Sequence, residues 1–150
     1  MKILGKSIAL AVAGTALAAV ALATPAAADS SQLDTIGTIT IHTRGDGTQP
    51  PSELGDPEEW GVVELAIDDS AGSVTPRTIV EVGGGKWSYG WKAVTGGKYC
   101  YSNYYHSRVK HGSTVKIAGH TVKDTAAAGY TSNANKTAGG AYTCKAYYSK

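Results

Sequence analysis

Two segments of this chain carry a cysteine within an alternating pattern, and they limit the possible folds more than any other feature. A pleated strand over Lys98–His106 sets Cys100, Ser102, Tyr104 and His106 on one face and Tyr99, Tyr101, Asn103 and Tyr105 on the other. Over Tyr142–Tyr148 the cysteine face carries Tyr142, Cys144, Ala146 and Tyr148. The sequence holds only these two cysteines. In an exported chain a disulfide between Cys100 and Cys144 is the simple expectation, with both cysteine faces lining one core. A thiol nucleophile is the poorer reading, because nothing pairs either cysteine with a fixed base.

Export is expected from the amino-terminal residues. Lys2 and Lys6 precede an apolar run from Ile8 to Ala23, and Ala26 and Ala28 place small residues before Asp29. A positive end, an apolar middle and a small-x-small site describe a secretory signal peptide cut after Ala28. A retained anchor fits less well, since the alanines and Gly14 suit cleavage better than spanning. No later segment is apolar enough to span, so the expected product is secreted, extracellular and without a stable membrane span.

Removing residues 1–28 leaves 122 residues, close to the size at which a core benefits from a covalent staple. Charge then divides the chain. From Asp29 to Glu81 eleven carboxylates face Arg44 and Arg77, a net of −9, whereas from Val82 to Lys150 ten lysines or arginines face Asp124 alone, a net of +9. Such asymmetry suggests an acidic segment that covers a basic one, or a basic module with an anionic partner. The expected organisation is a signal peptide over 1–28, an acidic β segment over 29–82 and a basic β domain over 83–150. The acidic segment is read either as a pro-region removed at Gly83-Gly84-Gly85 or as a permanent sheet of the same protein. The glycines themselves read as a linker, a processing site or a bulge.

The acidic half has the pattern of a β meander. Thr35–Arg44 alternates β-branched residues and forms the first expected strand, Val62–Asp68 the second and Thr78–Val82 the third. A loop rich in glycine and proline separates the first two, and Asp69–Gly72 with Pro76 makes the next reversal. There is no helix signal of any length in this half. In the basic half, Ser113–Ile117 and His120–Asp124 predict a hairpin about Ala118-Gly119 with Val115 opposite Val122, or a bulged variant turning on Gly119. Residues 126–140, small and polar, predict a long loop with one irregular strand. The fold class is therefore all-β and antiparallel.

Chemistry is concentrated between Gly83 and Val115. This stretch holds two of the three tryptophans, five of the nine tyrosines and two of the four histidines, with no carboxylate. A binding surface is easier to build from it than acid/base catalysis. His106 and His111 lack the partners of a zinc site, and no catalytic triad or cofactor pattern is present, so no catalytic, metal or cofactor residue and no nucleic-acid partner is expected.

The residues Gly84-Gly85-Lys86-Trp87 with Ser88-Tyr89-Gly90, then Tyr101-Ser102-Asn103-Tyr104-Tyr105-His106 and Ser107-Arg108-Val109-Lys110-His111, followed by Gly112-Ser113-Thr114-Val115 and the late Ala146-Tyr147-Tyr148, resemble the lactococcin 972 family of secreted bacteriocins. The resemblance covers about Gly83 to Lys150. It implies a small β-sandwich of two antiparallel sheets, a capacity to form homodimers, and binding of the cell-wall precursor lipid II with a block of septum formation. It does not account for the cysteine pair or for the acidic segment on the amino-terminal side, and it brings no catalytic residue.

An antibacterial protein that binds lipid II or a related anionic wall intermediate is thus the leading functional expectation. A noncatalytic wall- or surface-binding module is the alternative, and a secreted hydrolase is weaker because the carboxylates lie almost wholly in the acidic half. Lipid II joins a pyrophosphate to sugars and a peptide. Arg108, Lys110 and His111 are candidates for the phosphates and Tyr99, Tyr101 and Tyr105 for an exposed aromatic strip.

Overall fold

A computed structural model of the chain describes residues 37–65 and 78–150. The signal peptide, the start of the first expected strand, the end of the second and the reversal at Asp69–Pro76 lie outside these residues. Among the described residues nine strands form two antiparallel sheets packed face to face, as expected for a small all-β sandwich. They are β1 (Ile39–Thr43), β2 (Glu59–Leu65), β3 (Thr78–Val82), β4 (Gly85–Val94), β5 (Gly97–Tyr105), β6 (His111–Ile117), β7 (His120–Ala126), β8 (Thr131–Ala138) and β9 (Cys144–Ser149). One sheet has the order β1-β2-β9-β6-β7 and the other β3-β4-β5-β8.

The alternation around the cysteines is the principle of the core. Cys100 and Tyr104 of β5, and Cys144, Ala146 and Tyr148 of β9, have no exposed surface. A Cys100–Cys144 disulfide joins the two sheets, with Cα atoms 6.1 Å apart. Trp87 and Tyr89 of β4, Val115 and Ile117 of β6, and Val63 and Leu65 of β2 fill the space around it. Small hydroxyls supply the polar links such a core needs if its donors are to stay paired. Trp87 Nε1 donates to Ser102 Oγ at 2.9 Å, Ser102 Oγ donates to the Tyr147 carbonyl at 2.8 Å, and Ser113 meets Ser132 at 2.7 Å.

The acidic segment is built into both sheets. β2 lies between β1 and β9, with Trp60 opposite Ser149 and Leu65 opposite Cys144, while β3 pairs along β4. The seam is a hairpin turn: Val82 pairs with Gly85, leaving Gly83 and Gly84 as a two-residue loop at φ of 59° and 78°. Glycine takes two successive positive φ angles with the least strain, which explains the residue choice better than a linker does. The β1–β2 connection returns across the outer side of the five-stranded sheet. Its single 3-10 turn, Ser52–Leu54, seats Leu54 with Trp60 and Tyr147 in a second apolar cluster.

The charges of the two halves meet. Glu53 pairs with Lys116 at 2.6 Å, Glu64 with Lys145 at 2.8 Å and Glu59 with Lys150 at 3.4 Å. The hydrogen bond from Lys116 holds the Glu53 carboxyl below the usual glutamate range, and the bond to Glu64 raises the Lys145 ammonium.

One expectation needs correction. The stretch expected to be a long loop with one irregular strand does contain one strand, but β8 is regular and is paired along its length with β5. Small residues hid that regularity, but Ser132 and Ala134 are what the tightly packed interior at that edge can admit. The ten-residue β4 gives no clean strand signal in the sequence, because its glycines mask the alternation. The 3-10 turn Ser52–Leu54, three residues long, is too short to carry a helix signal. The hairpin about Ala118-Gly119 has the expected register, Val115 opposite Val122, and is a two-residue turn with Ala118 at φ 51°.

Candidate binding cleft

At one end of the sandwich, the β1–β2 connection, the β3–β4 turn, the β5–β6 loop and the end of β9 enclose a cleft of about 890 Å³. Its charged lining includes Arg44, Glu58 and Glu59 from the acidic half and Arg108, Lys110 and Lys150 from the basic half. Backbone bonds hold the end together: the Glu58 and Glu59 amides donate to the Lys150 carbonyl at 2.7 and 3.2 Å, and the Lys150 amide donates to the Glu59 carbonyl at 3.0 Å.

The cationic loop is fixed by a histidine. His106 closes the inner face of β5 and is 4% exposed. Its Nδ1 accepts the amide hydrogens of Arg108 at 3.1 Å and Val109 at 3.2 Å, which leaves the proton on Nε2 to donate to the Gly83 carbonyl at 3.2 Å. One ring therefore ties the β5–β6 loop to the β3–β4 turn. The His111 ring Nδ1–H donates to the Val109 carbonyl at 2.9 Å and packs edge-on against Tyr104. It is 3% exposed, so the structure corrects the expectation that His111 meets a phosphate at the surface. Its position on the inner face of β6 follows from Val115 and Ile117 sharing that face, a signal present in the sequence.

Below the cleft, Tyr148 Oη donates to Glu59 Oε1 at 2.6 Å and Tyr104 Oη donates to the Val82 carbonyl at 3.0 Å. Burial pushes both phenols well above the usual tyrosine value, and Glu59 reinforces the shift at each. A raised pKa means that the folded state keeps protons the unfolded chain loses. Their contribution to stability is complete below about pH 10, the unfolded tyrosine value, and is lost as pH rises above it. Urea midpoints are expected to be unchanged by this pair up to pH 9 and to fall steeply by pH 11. A Tyr148→Phe variant should show a shallower fall, and an equally steep one would contradict the assignment.

The structure separates the residues singled out in the sequence. Arg108 and Lys110 come together at the cleft, and among the described residues neither is in an ion pair. Tyr105, 39% exposed, lines a smaller hollow with Gly83, Gly84 and Ser107 that adjoins the cleft through the shared glycines. Tyr99 and Tyr101 lie farther along β5 on the outer face of the four-stranded sheet, with ring centroids 6.2 Å apart. Arg44, Glu58, Glu59 and Lys150 were not anticipated. They reach the cleft only because β2 pairs with β9, and no local pattern in the sequence announces that pairing.

Among the described residues no group of three His, Cys, Asp or Glu side chains is placed to hold a metal ion, and no helix is long and apolar enough to cross a membrane. No curated protein and no solved structure matches the chain. The match that is found covers β4 to β9, three strands of each sheet, with the acidic segment adding β1 and β2 to one and β3 to the other. Residues 83–148 match the family model described as Bacteriocin (Lactococcin_972), so the basic part of the chain is similar to that bacteriocin family.

Proposed function

We propose that the protein is a secreted, nonenzymatic bacteriocin whose end cleft binds lipid II or a closely related anionic wall precursor and so blocks wall or septum synthesis. The family match supports the bacteriocin. The observation that carries the cleft is the pair Arg108 and Lys110, held at its wall on a loop that His106 fixes from below. A pyrophosphate needs charge-assisted donors, and a guanidinium on a rigid loop loses little entropy in supplying them. Tyr105, beside the cleft, presents a ring and a hydroxyl to a sugar or peptide attached to that phosphate.

The test is binding to bilayers containing lipid II, compared with the same bilayer lacking it and with one carrying an equal charge of another anionic lipid. Selective binding is expected. Arg108→Ala should weaken it by roughly ten- to a hundredfold, the equivalent of one lost charged hydrogen-bond pair at about 1.5–3 kcal/mol. Growth inhibition of sensitive bacteria should weaken in parallel. Equal binding to all anionic bilayers would leave only a basic surface attracted to membranes and would overturn the proposal.

A further inference from the structure

From the outer face of the four-stranded sheet we infer a second binding site, separate from the end cleft, for an extended glycan bearing acetamido and carboxylate groups. The register sets the face out in rows. Gly90, Tyr101 and Asn135 lie side by side across β4, β5 and β8; Ser88, Asn103 and Asn133 form the next row, and Lys92, Tyr99 and Thr137 flank the first on its other side. Alternation puts all nine residues on the side opposite Cys100, away from the core. An outer sheet face is commonly a mixture of both charges with scattered aliphatics. Here the outward positions of β5 and β8 and of β4 up to Lys92 carry rings, amides, hydroxyls and lysines; the carboxylate and the branched aliphatics of this face, Glu81 and Ile79 on β3 and Val94 at the end of β4, lie at its margin.

Those groups match the parts of one kind of polymer. Pyranose rings present flat C–H faces, which aromatic rings receive, while the hydroxyls at their rims require hydrogen-bonding partners. Tyr99 and Tyr101 provide two rings inclined by only 30° to each other along the strand, a spacing suited to successive units of a chain rather than to one small molecule. The side-chain amides of Asn103 and Asn135 have no hydrogen-bond partner among the described residues, and each can both donate to and accept from an acetamido group. Lys92 lies 5.0 Å from the centre of the Tyr99 ring and gives the face a positive charge for a carboxylate on the glycan. Charge complementarity is what favours this occupant over a neutral polysaccharide.

Gly90 gives the platform its shape. A Cβ at this position would come within 2.7 Å of Tyr101 Oη and 3.0 Å of the ring carbon bearing it, so the missing side chain is what lets the tyrosine fold across β4. The site thus depends on a cross-strand pair, Gly90 with Tyr101, neither of which lines the cleft.

The experiment is cosedimentation of the full mature protein with purified, peptide-free glycan strands of a bacterial wall, alongside cellulose, which lacks both amide and carboxylate. Retention on the wall glycan and not on cellulose is expected. It should persist in salt that screens simple charge attraction, with a Debye length of about 3 Å at 1 M. Tyr101→Ala should weaken retention about tenfold, the upper end of what one aromatic contact contributes. Asn135→Ala, on an exposed edge strand where folding is not at risk, should weaken it severalfold, and Arg108→Ala should leave it unchanged. If the glycan is not retained, if cellulose is retained equally, or if neither Tyr101→Ala nor Asn135→Ala has an effect, the inference is overturned. A concentration-dependent self-association abolished by Tyr101→Ala would also overturn it, by assigning the face to a second copy. Lipid II binding by the cleft is read separately through Arg108→Ala, so failure of one site does not imply failure of the other.

Discussion

Protein that begins at Gly83 is expected to be far less stable than protein that begins at Asp29, and to associate through its exposed edges. β2 supplies Val63 and Leu65 to the shared core, where they are 0% and 1% exposed. Losing these two side chains alone forfeits roughly 3–6 kcal/mol of apolar burial, taking about 1.5–3 kcal/mol for each. The truncation also uncovers the ladder edge of β9 and the outer face of Tyr147, and it strips β4 of its partner β3. An unpaired edge beside an apolar patch is a template for pairing with another chain. The three ion pairs between the halves add little, since exposed pairs are typically worth less than about 1 kcal/mol each.

Urea unfolding and light scattering of the two proteins measure the difference. If the shorter form is monomeric with an unchanged midpoint, the acidic segment is a detachable cover of the kind its charge suggests. The physical expectation is the opposite. A chain nicked at the Gly83-Gly84 turn should elute as one particle under native conditions, because β2, which carries β1, stays paired to β9 after the turn is cut. We therefore propose that residues from Asp29 onward are retained in the active protein, which mass measurement of active material can test.

The fold was legible where side chains alternate strongly and illegible where small residues take their place. Cys100, Tyr104, Cys144 and Tyr148 declare an inner face, because large or sulfur-bearing side chains recur with period two. β4 contains the same signal in Trp87 and Tyr89, but Gly85 and Gly90 interrupt it, and those glycines answer to neighbours on β5 that a linear reading does not contain. Pairing between distant strands was equally hidden. The charge division suggested an acidic segment covering a basic one or a basic module with an anionic partner; it did not reveal that Glu59 and Glu64 would meet lysines on or just past a strand of the same sheet, with Glu53 reaching Lys116 from the adjoining turn. The cleft shares that limit. Arg108 and Lys110 stand out in the sequence as adjacent cations, whereas Arg44 and Glu58 become cleft residues only after β2 has docked against β9. His111 was misjudged through its charge, when its inward alternation with Val115 was the better guide.

Replacing both Cys100 and Cys144 with alanine is expected to cost about 4 kcal/mol on the chain-entropy account of a loop this long. The cysteines are 44 residues apart and connect β5 in one sheet to β9 in the other, so the bond closes a long loop and fixes the two layers together. Replacing one cysteine alone would be a poorer experiment, since it leaves a reactive thiol in the core. A domain of this size commonly has about 5–15 kcal/mol in all, so the variant should retain its fold near neutral pH but unfold at a much lower urea concentration. Oxidised wild-type protein should titrate no free thiol, and reduction should move its midpoint toward that of the variant. The loss should not add simply to that caused by removing Leu65. Leu65 pairs directly with Cys144 across the β2–β9 ladder, and residues in contact share part of their energy. A Leu65→Ala change, which costs about 2–5 kcal/mol at a fully buried site, should thus have a different effect in the oxidised protein and in the alanine variant. Identical midpoints with and without reductant would show that packing alone holds the sheets together, and additive losses would show that the bond and the acidic strand secure β9 independently.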